Sequence, residues 1–147
     1  MKQNNDQQLV SELMKPRVKC IGYQDMHYPG SPFGTGKILT FEKIHGELRY
    51  EWFEYDGKNW ITKSETDNYP HLFKPLQWWE EREREDMPDY IRIEDMVVEV
   101  DCYVYDIGFN FYYGESAGYS KRVFNEYTIP ATLSEYTQYL SQIKPED

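Results

Sequence analysis

Few of the residue types that usually do chemistry stand in this chain at distances where they could act together. Its three imidazoles, His27, His45 and His71, are far apart, and none lies at metal-ligand or acid–base spacing to a Cys, Asp or Glu. Zinc sites ordinarily announce themselves as close ligand pairs, so no metal is expected. Cys20 and Cys102 each fall in an alternating apolar run and read as small packed thiols, too few for a disulfide framework. Gly34-Thr-Gly36-Lys37 has the composition of a phosphate loop but neither its spacing nor a following helix, which makes it a turn. There is no nucleophile elbow and no paired His/Glu helix motif. Carboxylates are plentiful enough for two to meet in a cleft, as glycoside hydrolysis requires, but a solvated acidic face explains them more simply. The expectation is a chain with no catalytic residue and no cofactor.

Charge is more informative than chemistry. The 147 residues carry a formal net charge of −10, and it is unevenly placed. Residues 1–76 hold 10 Lys/Arg against 10 Asp/Glu, whereas residues 77–147 hold 6 against 16. A one-sign field of this kind repels phosphate backbones and speeds encounter with basic surfaces. Direct nucleic-acid binding is disfavoured, while binding a protein with a basic surface is not. The acids concentrate at Glu80, Glu81, Glu83, Glu85, Asp86, Asp89, Glu94, Asp95, Glu99, Asp101 and Asp106, opposed between 77 and 106 only by Arg82, Arg84 and Arg92. Such a run is commonly just solubilising surface. Its functional reading is an acidic face that imitates a phosphate backbone or pairs with a basic groove.

Aromatic residues make up 17% of the chain, with 14 Tyr and 4 Trp, so rings must fill much of the core and still leave some at the surface. Trp78 and Trp79 are adjacent, so at most one of them is expected to enter the core fully. Tyr103 and Tyr105 fall in register with Glu99 and Asp101 on one face of a predicted strand, and in this acidic setting a protein-facing role suits them. The candidate partner-binding residues are thus Trp78, Trp79, the acids from Glu80 to Asp101, Tyr103 and Tyr105.

The elements that must position these residues are mainly strands. Residues 1–15 are polar and read as a flexible tail in which Leu9, Val10, Leu13 and Met14 give at most one helical turn. Residues 16–76 form a first β meander and a crossing segment. Here a strand from Arg17 feeds the loop Tyr28-Pro-Gly-Ser-Pro-Phe33. Strands Lys37–Ile44, Glu47–Tyr55 and Lys58–Lys63 follow, turned at His45-Gly46 and at Asp56-Gly57. Asp-Gly readily takes the two positive φ values of a type I′ turn. Two prolines within 64–76 exclude a regular helix or a central strand there. Residues 77–147 form an acidic second β region. A short helical turn at 78–87 stops before Pro88, and candidate strands run over 90–93, 96–105, 109–113 and 121–127. Thr132-Leu-Ser-Glu135 is a capping-box signature opening a C-terminal helix whose apolar stripe is Leu133, Tyr136, Leu140 and Ile143. The fold class is mainly β, or α+β, with antiparallel meanders that could close as one or two small SH3-like barrels. The two β regions could also form one compact domain.

Several phrases resemble a set of small proteins common in phages and prophages of Bacteroidetes-type bacteria. They are Met14-Lys-Pro-Arg-Val-Lys-Cys-Ile21, Tyr28-Pro-Gly-Ser-Pro-Phe33, Tyr69-Pro-His-Leu-Phe-Lys-Pro-Leu-Gln-Trp-Trp-Glu-Glu-Arg82, Asp86-Met-Pro-Asp-Tyr-Ile91 and Ile129-Pro-Ala-Thr-Leu-Ser-Glu-Tyr136. The Trp-Trp-Glu-Glu-Arg block with Asp-Met-Pro is its mark. This chain departs from the set after Phe33, where Gly34-Thr-Gly-Lys replaces an apolar-Gly-Asp strand entry. The resemblance implies a mobile-element origin and action in the cytoplasm of a bacterial host. With it come three classes of role. The first is a non-enzymatic inhibitor of host defence, as anti-CRISPR proteins are, binding a basic RNA-guided nuclease such as the type VI-B effector. The second is a virion or assembly component that self-associates. The third is a small hydrolase or ligand-binding domain. No stretch approaches the roughly 20 apolar residues of a membrane helix, and the first eight residues have no apolar signal core, so no membrane partner is expected.

Overall fold

The computed structural model describes residues 2–22, 33–54, 56–112 and 120–143. His27, Tyr28 to Pro32 of the first loop, Tyr55, Tyr113 and Tyr119 lie outside them. The chain is mainly β with antiparallel sheets and no closed barrel among the described residues. It divides into two compact units. One is the contiguous stretch Lys15–Trp78, and the other joins Met1–Met14 to Trp79–Asp147. No helix among the described residues is long and apolar enough to cross a membrane.

In the contiguous unit, β1 (Arg17–Cys20) lies between β2 (Ile38–Thr40) and β6 (Phe73–Leu76), both antiparallel to it. β6 contains Pro75, which has no N–H to give a ladder, and it is accordingly an edge strand. β3 (Glu42–Ile44), β4 (Glu47–Glu54) and β5 (Gly57–Thr62) form the expected three-stranded meander. The strand expected over Lys37–Ile44 is broken into β2 and β3 at Phe41, so its two halves serve different sheets. Phe41 is fully buried and donates its N–H to the Pro16 carbonyl at 2.9 Å, and that bond fixes the corner. Val18, Cys20, Leu39, Phe41 and Phe73 form the core, with Phe33, Tyr50, Ile61 and Leu72 packed against it.

Turn chemistry moved one hairpin by a residue. His45 and Gly46 both have positive φ, 52° and 85°, as a type I′ turn requires. At the next hairpin Glu54 pairs with Gly57, and Gly57 belongs to β5 at φ 147° rather than to the turn expected at Asp56-Gly57. After β5 comes a helix the sequence reading missed, α2 (Lys63–Asp67), opened by a capping box in which Thr62 and Glu65 exchange hydrogen bonds.

The discontinuous unit is a five-stranded sheet in the order β10-β9-β8-β7-β11. Its strands are β7 (Tyr90–Ile93), β8 (Met96–Val104), β9 (Gly108–Tyr112), β10 (Ser120–Phe124) and β11 (Ile129–Ala131). The segment expected as a helical turn or two at 78–87 is instead a turn followed by a single 3-10 turn at Arg84–Asp86. The C-terminal helix α3 (Leu133–Ile143) begins with its capping box, since the Thr132 hydroxyl accepts from the Glu135 N–H and the Glu135 carboxylate accepts from the Thr132 N–H. The first residues, expected as a flexible tail, form α1 (Lys2–Leu13), which packs on α3 and β11. Its Asp6 carboxylate accepts from the Leu133 N–H at 2.5 Å, an anion placed where a helix N-terminus attracts one. Arg82 donates to the last carbonyl of α1, that of Leu13. Tertiary partners, which local composition does not reveal, order this segment.

Candidate functional site

The exposed acids of the discontinuous unit begin with β8. Strict alternation would put Glu99, Asp101, Tyr103 and Tyr105 on one face. The structure inserts a bulge at Asp101, because Val100 pairs with Phe111 while Cys102 pairs with Asn110. One extra residue reverses the sense of alternation beyond it. Glu99 and Asp101 stay exposed, and Tyr103 turns into the core at 3% exposure, packed on Phe109 with its hydroxyl accepting from the Asp106 N–H. Tyr103 is therefore a core residue rather than a partner contact. Tyr105 remains exposed in the β8–β9 loop.

Glu99 sits among phenols. Tyr90 of β7 stacks on Tyr136 of α3 with ring centroids 4.8 Å apart, and Tyr112 of β9 donates its hydroxyl to Asp101 at 3.0 Å. All three phenols are pushed above their ordinary pKa. Burial is the main cause for Tyr90 and Tyr136, the Asp101 hydrogen bond is the main cause for Tyr112, and the Glu99 charge adds to each. The sheet surface beside α3 is thus a tyrosine patch held in a negative field.

The remaining acids surround this patch in sequence but are less gathered than their run suggests. Glu83, Glu85, Asp86 and Asp89 are exposed on the segment leading into β7, while Glu94 and Asp95 form the exposed β7–β8 turn, Glu94 at φ 55°. Glu80 is half-buried and Glu81 exposed at φ 55°. Two of the three arginines of this stretch are engaged within the unit. Arg82 binds the Leu13 carbonyl, and Arg92 pairs with Glu135 at 3.1 Å. Glu85, Asp89, Glu94, Asp95 and Glu99 make no ion pair among the described residues. Counted by unit, the discontinuous one holds 7 Lys/Arg against 18 Asp/Glu and the contiguous one 9 against 8, net −11 and +1.

The two tryptophans fall on either side of the unit boundary, both half-buried. Trp78 belongs to the contiguous unit, where its carbonyl and that of Gln77 accept from Arg17. Trp79 belongs to the other, where it lines a pocket of about 360 Å³ with Asp106, Ile107, Phe124, Asn125 and Glu126. Asn125 is only 3% exposed. Its backbone is fully used, accepting from the N–H and hydroxyl of Thr128 and donating to Ile107, but both polar atoms of its side-chain amide are buried without a hydrogen bond. Each such orphan costs about 1–3 kcal/mol, and so calls for an explanation. Sequence reasoning missed Ile107, Phe124, Asn125 and Glu126. The only available signal was that Phe124-Asn125 interrupts the strand predicted over 121–127.

Among the described residues no three His, Cys, Asp or Glu side chains are grouped to hold a metal ion. Cys20 is buried, which raises its thiol pKa, and Cys102 accepts a weak hydrogen bond from Asn110 at 3.4 Å. Comparison of the chain with protein-family models, curated proteins and solved structures found no match.

Proposed function

We propose that this chain is a phage-encoded, non-enzymatic binding protein that inhibits an RNA-guided defence nuclease by engaging its basic surface, the type VI-B effector being one such target. One observation carries the reading. The excess of negative charge belongs to a single compact unit whose exposed acids are largely unmatched by its own cations, beside a patch of tyrosines. Desolvated tyrosines supply contact energy, while exposed acids steer a basic partner and set its orientation. The resemblance to prophage proteins supplies the class of partner.

The test is inhibition of target-RNA cleavage by the purified nuclease, with association followed as ionic strength rises. Association is expected to slow at least tenfold between low and physiological salt, as screening shortens the reach of the field. Reversing Glu85, Asp89, Asp95 and Glu99 to Lys is expected to abolish inhibition without unfolding the chain, since all four are exposed. Unchanged inhibition by that variant rules the acidic surface out.

A second reading, an assembly subunit, is favoured by the contiguous unit, where Phe53 is 79% and Trp60 52% exposed on one face of the meander. It predicts concentration-dependent oligomers that Phe53→Ser and Trp60→Ser dissolve, together with the protein's presence in purified virions.

A further inference from the structure

We propose that the pocket between the β8–β9 loop and the end of β10 is an arginine-binding site, accepting the guanidinium of a side chain presented by the partner protein. The inference rests on the inhibitor reading for its partner, but on separate residues for its chemistry. Trp79 and Phe124 offer aromatic faces, Asp106 and Glu126 offer two exposed carboxylates, and Asn125 offers a buried amide whose oxygen and nitrogen lack partners. A guanidinium is planar, stacks on aromatic rings and directs five donors outward, so it suits stacking walls set between several acceptors. The Asn125 oxygen accepts one of those donors. Its NH2 group then needs an acceptor, which a guanidinium lacks and the main-chain carbonyl of the same arginine residue supplies. A lysine ammonium matches the carboxylates but neither stacks as a plane nor forks. A nucleotide matches the rings and the amide, yet its phosphate meets Asp106 and Glu126.

Asn125 lines the pocket but its amide atoms are buried, so an occupant reaches them only if a wall residue gives way. Phe124 is 56% and Ile107 46% exposed, which leaves both with little packing to lose. The site is thus closed over an unsatisfied polar group and completed by its ligand. The same argument gives Asn125 a signature that a structural amide lacks. Replacing an unpartnered buried amide by an apolar side chain of similar size does not destabilise the fold, whereas replacing a partnered one does.

The experiment titrates the full chain with N-acetyl-arginine N-methylamide, reading the Asn125 side-chain and Trp79 indole N–H signals by NMR. Both are expected to shift and saturate in the millimolar range. The neutral citrulline isostere, the lysine analogue and AMP are each expected to bind at least tenfold more weakly. Asn125→Leu is expected to keep or raise Tm and to weaken arginine binding at least tenfold. Asp106→Asn with Glu126→Gln, both at exposed positions, is expected to weaken it at least fivefold with Tm unchanged. The inference is overturned if citrulline, lysine or AMP binds as well as arginine, if arginine shifts neither signal, or if Asn125→Leu lowers Tm and leaves binding intact. Arginine binding without nuclease inhibition would sink the inhibitor reading alone. Inhibition retained by Asn125→Leu would sink only the pocket's part in it.

Discussion

The two units are built from the same material, short antiparallel strands joined by tight hairpins, yet they treat charge in opposite ways. In the contiguous unit charges are spent internally. Glu51 pairs with Arg49 at 3.0 Å and Lys58 at 2.8 Å, Lys15 with Glu42 at 2.6 Å, and Lys63 with Asp67, while the Arg49 guanidinium also lies 5.0 Å from the centre of the Trp60 ring. In the discontinuous unit Arg92–Glu135 joins sheet to helix, and most acids of the 80–101 run face water. A folded domain gains little from an exposed unmatched carboxylate, and mutual repulsion makes a crowd of them a modest cost. The first pattern serves the unit's own structure, whereas the second adds little to it, and under the proposed function its use is to meet a basic partner.

The largest effects should come from removing a core ring on either side of the comparison. Phe41→Ala and Phe109→Ala, each at a fully buried position, are expected to cost about 3–5 kcal/mol. Hydrogen exchange should then show protection lost first in the unit that carries the change. Loss of protection in both units at once would break the distinction between them.

Next come two close backbone approaches. A Cβ on Gly108 would lie 2.0 Å from the Val123 carbonyl oxygen, and one on Gly22 would lie 2.5 Å from that of His71. Gly108→Ala and Gly22→Ala are expected to cost about 1–3 kcal/mol or more in urea unfolding, because backbone rather than a flexible side chain must yield. A smaller loss, about 1 kcal/mol, is expected from Thr62→Ala and from Thr132→Ala, one cap in each unit. The smallest effect sharpens the contrast in charge. The hydrogen bond from Lys58, aided by the charges of Arg49 and His45 and opposed by burial, holds the Glu51 carboxyl below its ordinary range. Its contribution is fully present above the unfolded value of about 4.3 and is lost as pH falls through the lower folded value. The stability gap between the native chain and Glu51→Gln should therefore close on acidification below about pH 4, and the gap for Glu94→Gln, an acid with no ion pair, should be small throughout.

Elements whose signals are local were legible before any coordinates. The β7 and β8 strands and the C-terminal helix with its Thr132–Glu135 box stand where periodicity and capping put them, and the meander exists as expected but with a shorter first strand and its second turn displaced by a residue. The same four-residue signature at Thr62-Lys-Ser-Glu65 was hidden because it follows directly on a strand pattern. Failures elsewhere share a cause. The corner at Phe41 depends on the Pro16 carbonyl, α1 on α3 and β11, and the inward turn of Tyr103 on a bulge defined only by its pairing with β9. Of the candidate site, the exposed acids were legible from composition, since charged residues seek water. The pocket was not, because residues 79, 106–107 and 124–126 meet only once five strands are in register.

The reach of α1 to α3 also sets an order of events during synthesis. Asp6 and the Leu133 N–H it accepts from are separated by 127 residues. The whole of the contiguous unit leaves the ribosome between them, with every strand of its sheets available before β7 exists. At roughly 5–20 residues per second, the interval from Trp78 to the end of α3 lasts about 3–13 s. Over it α1 gains its partners in sequence, Arg82 first, then β11 and last α3, so the newborn chain completes this unit only after the whole contiguous unit has been made.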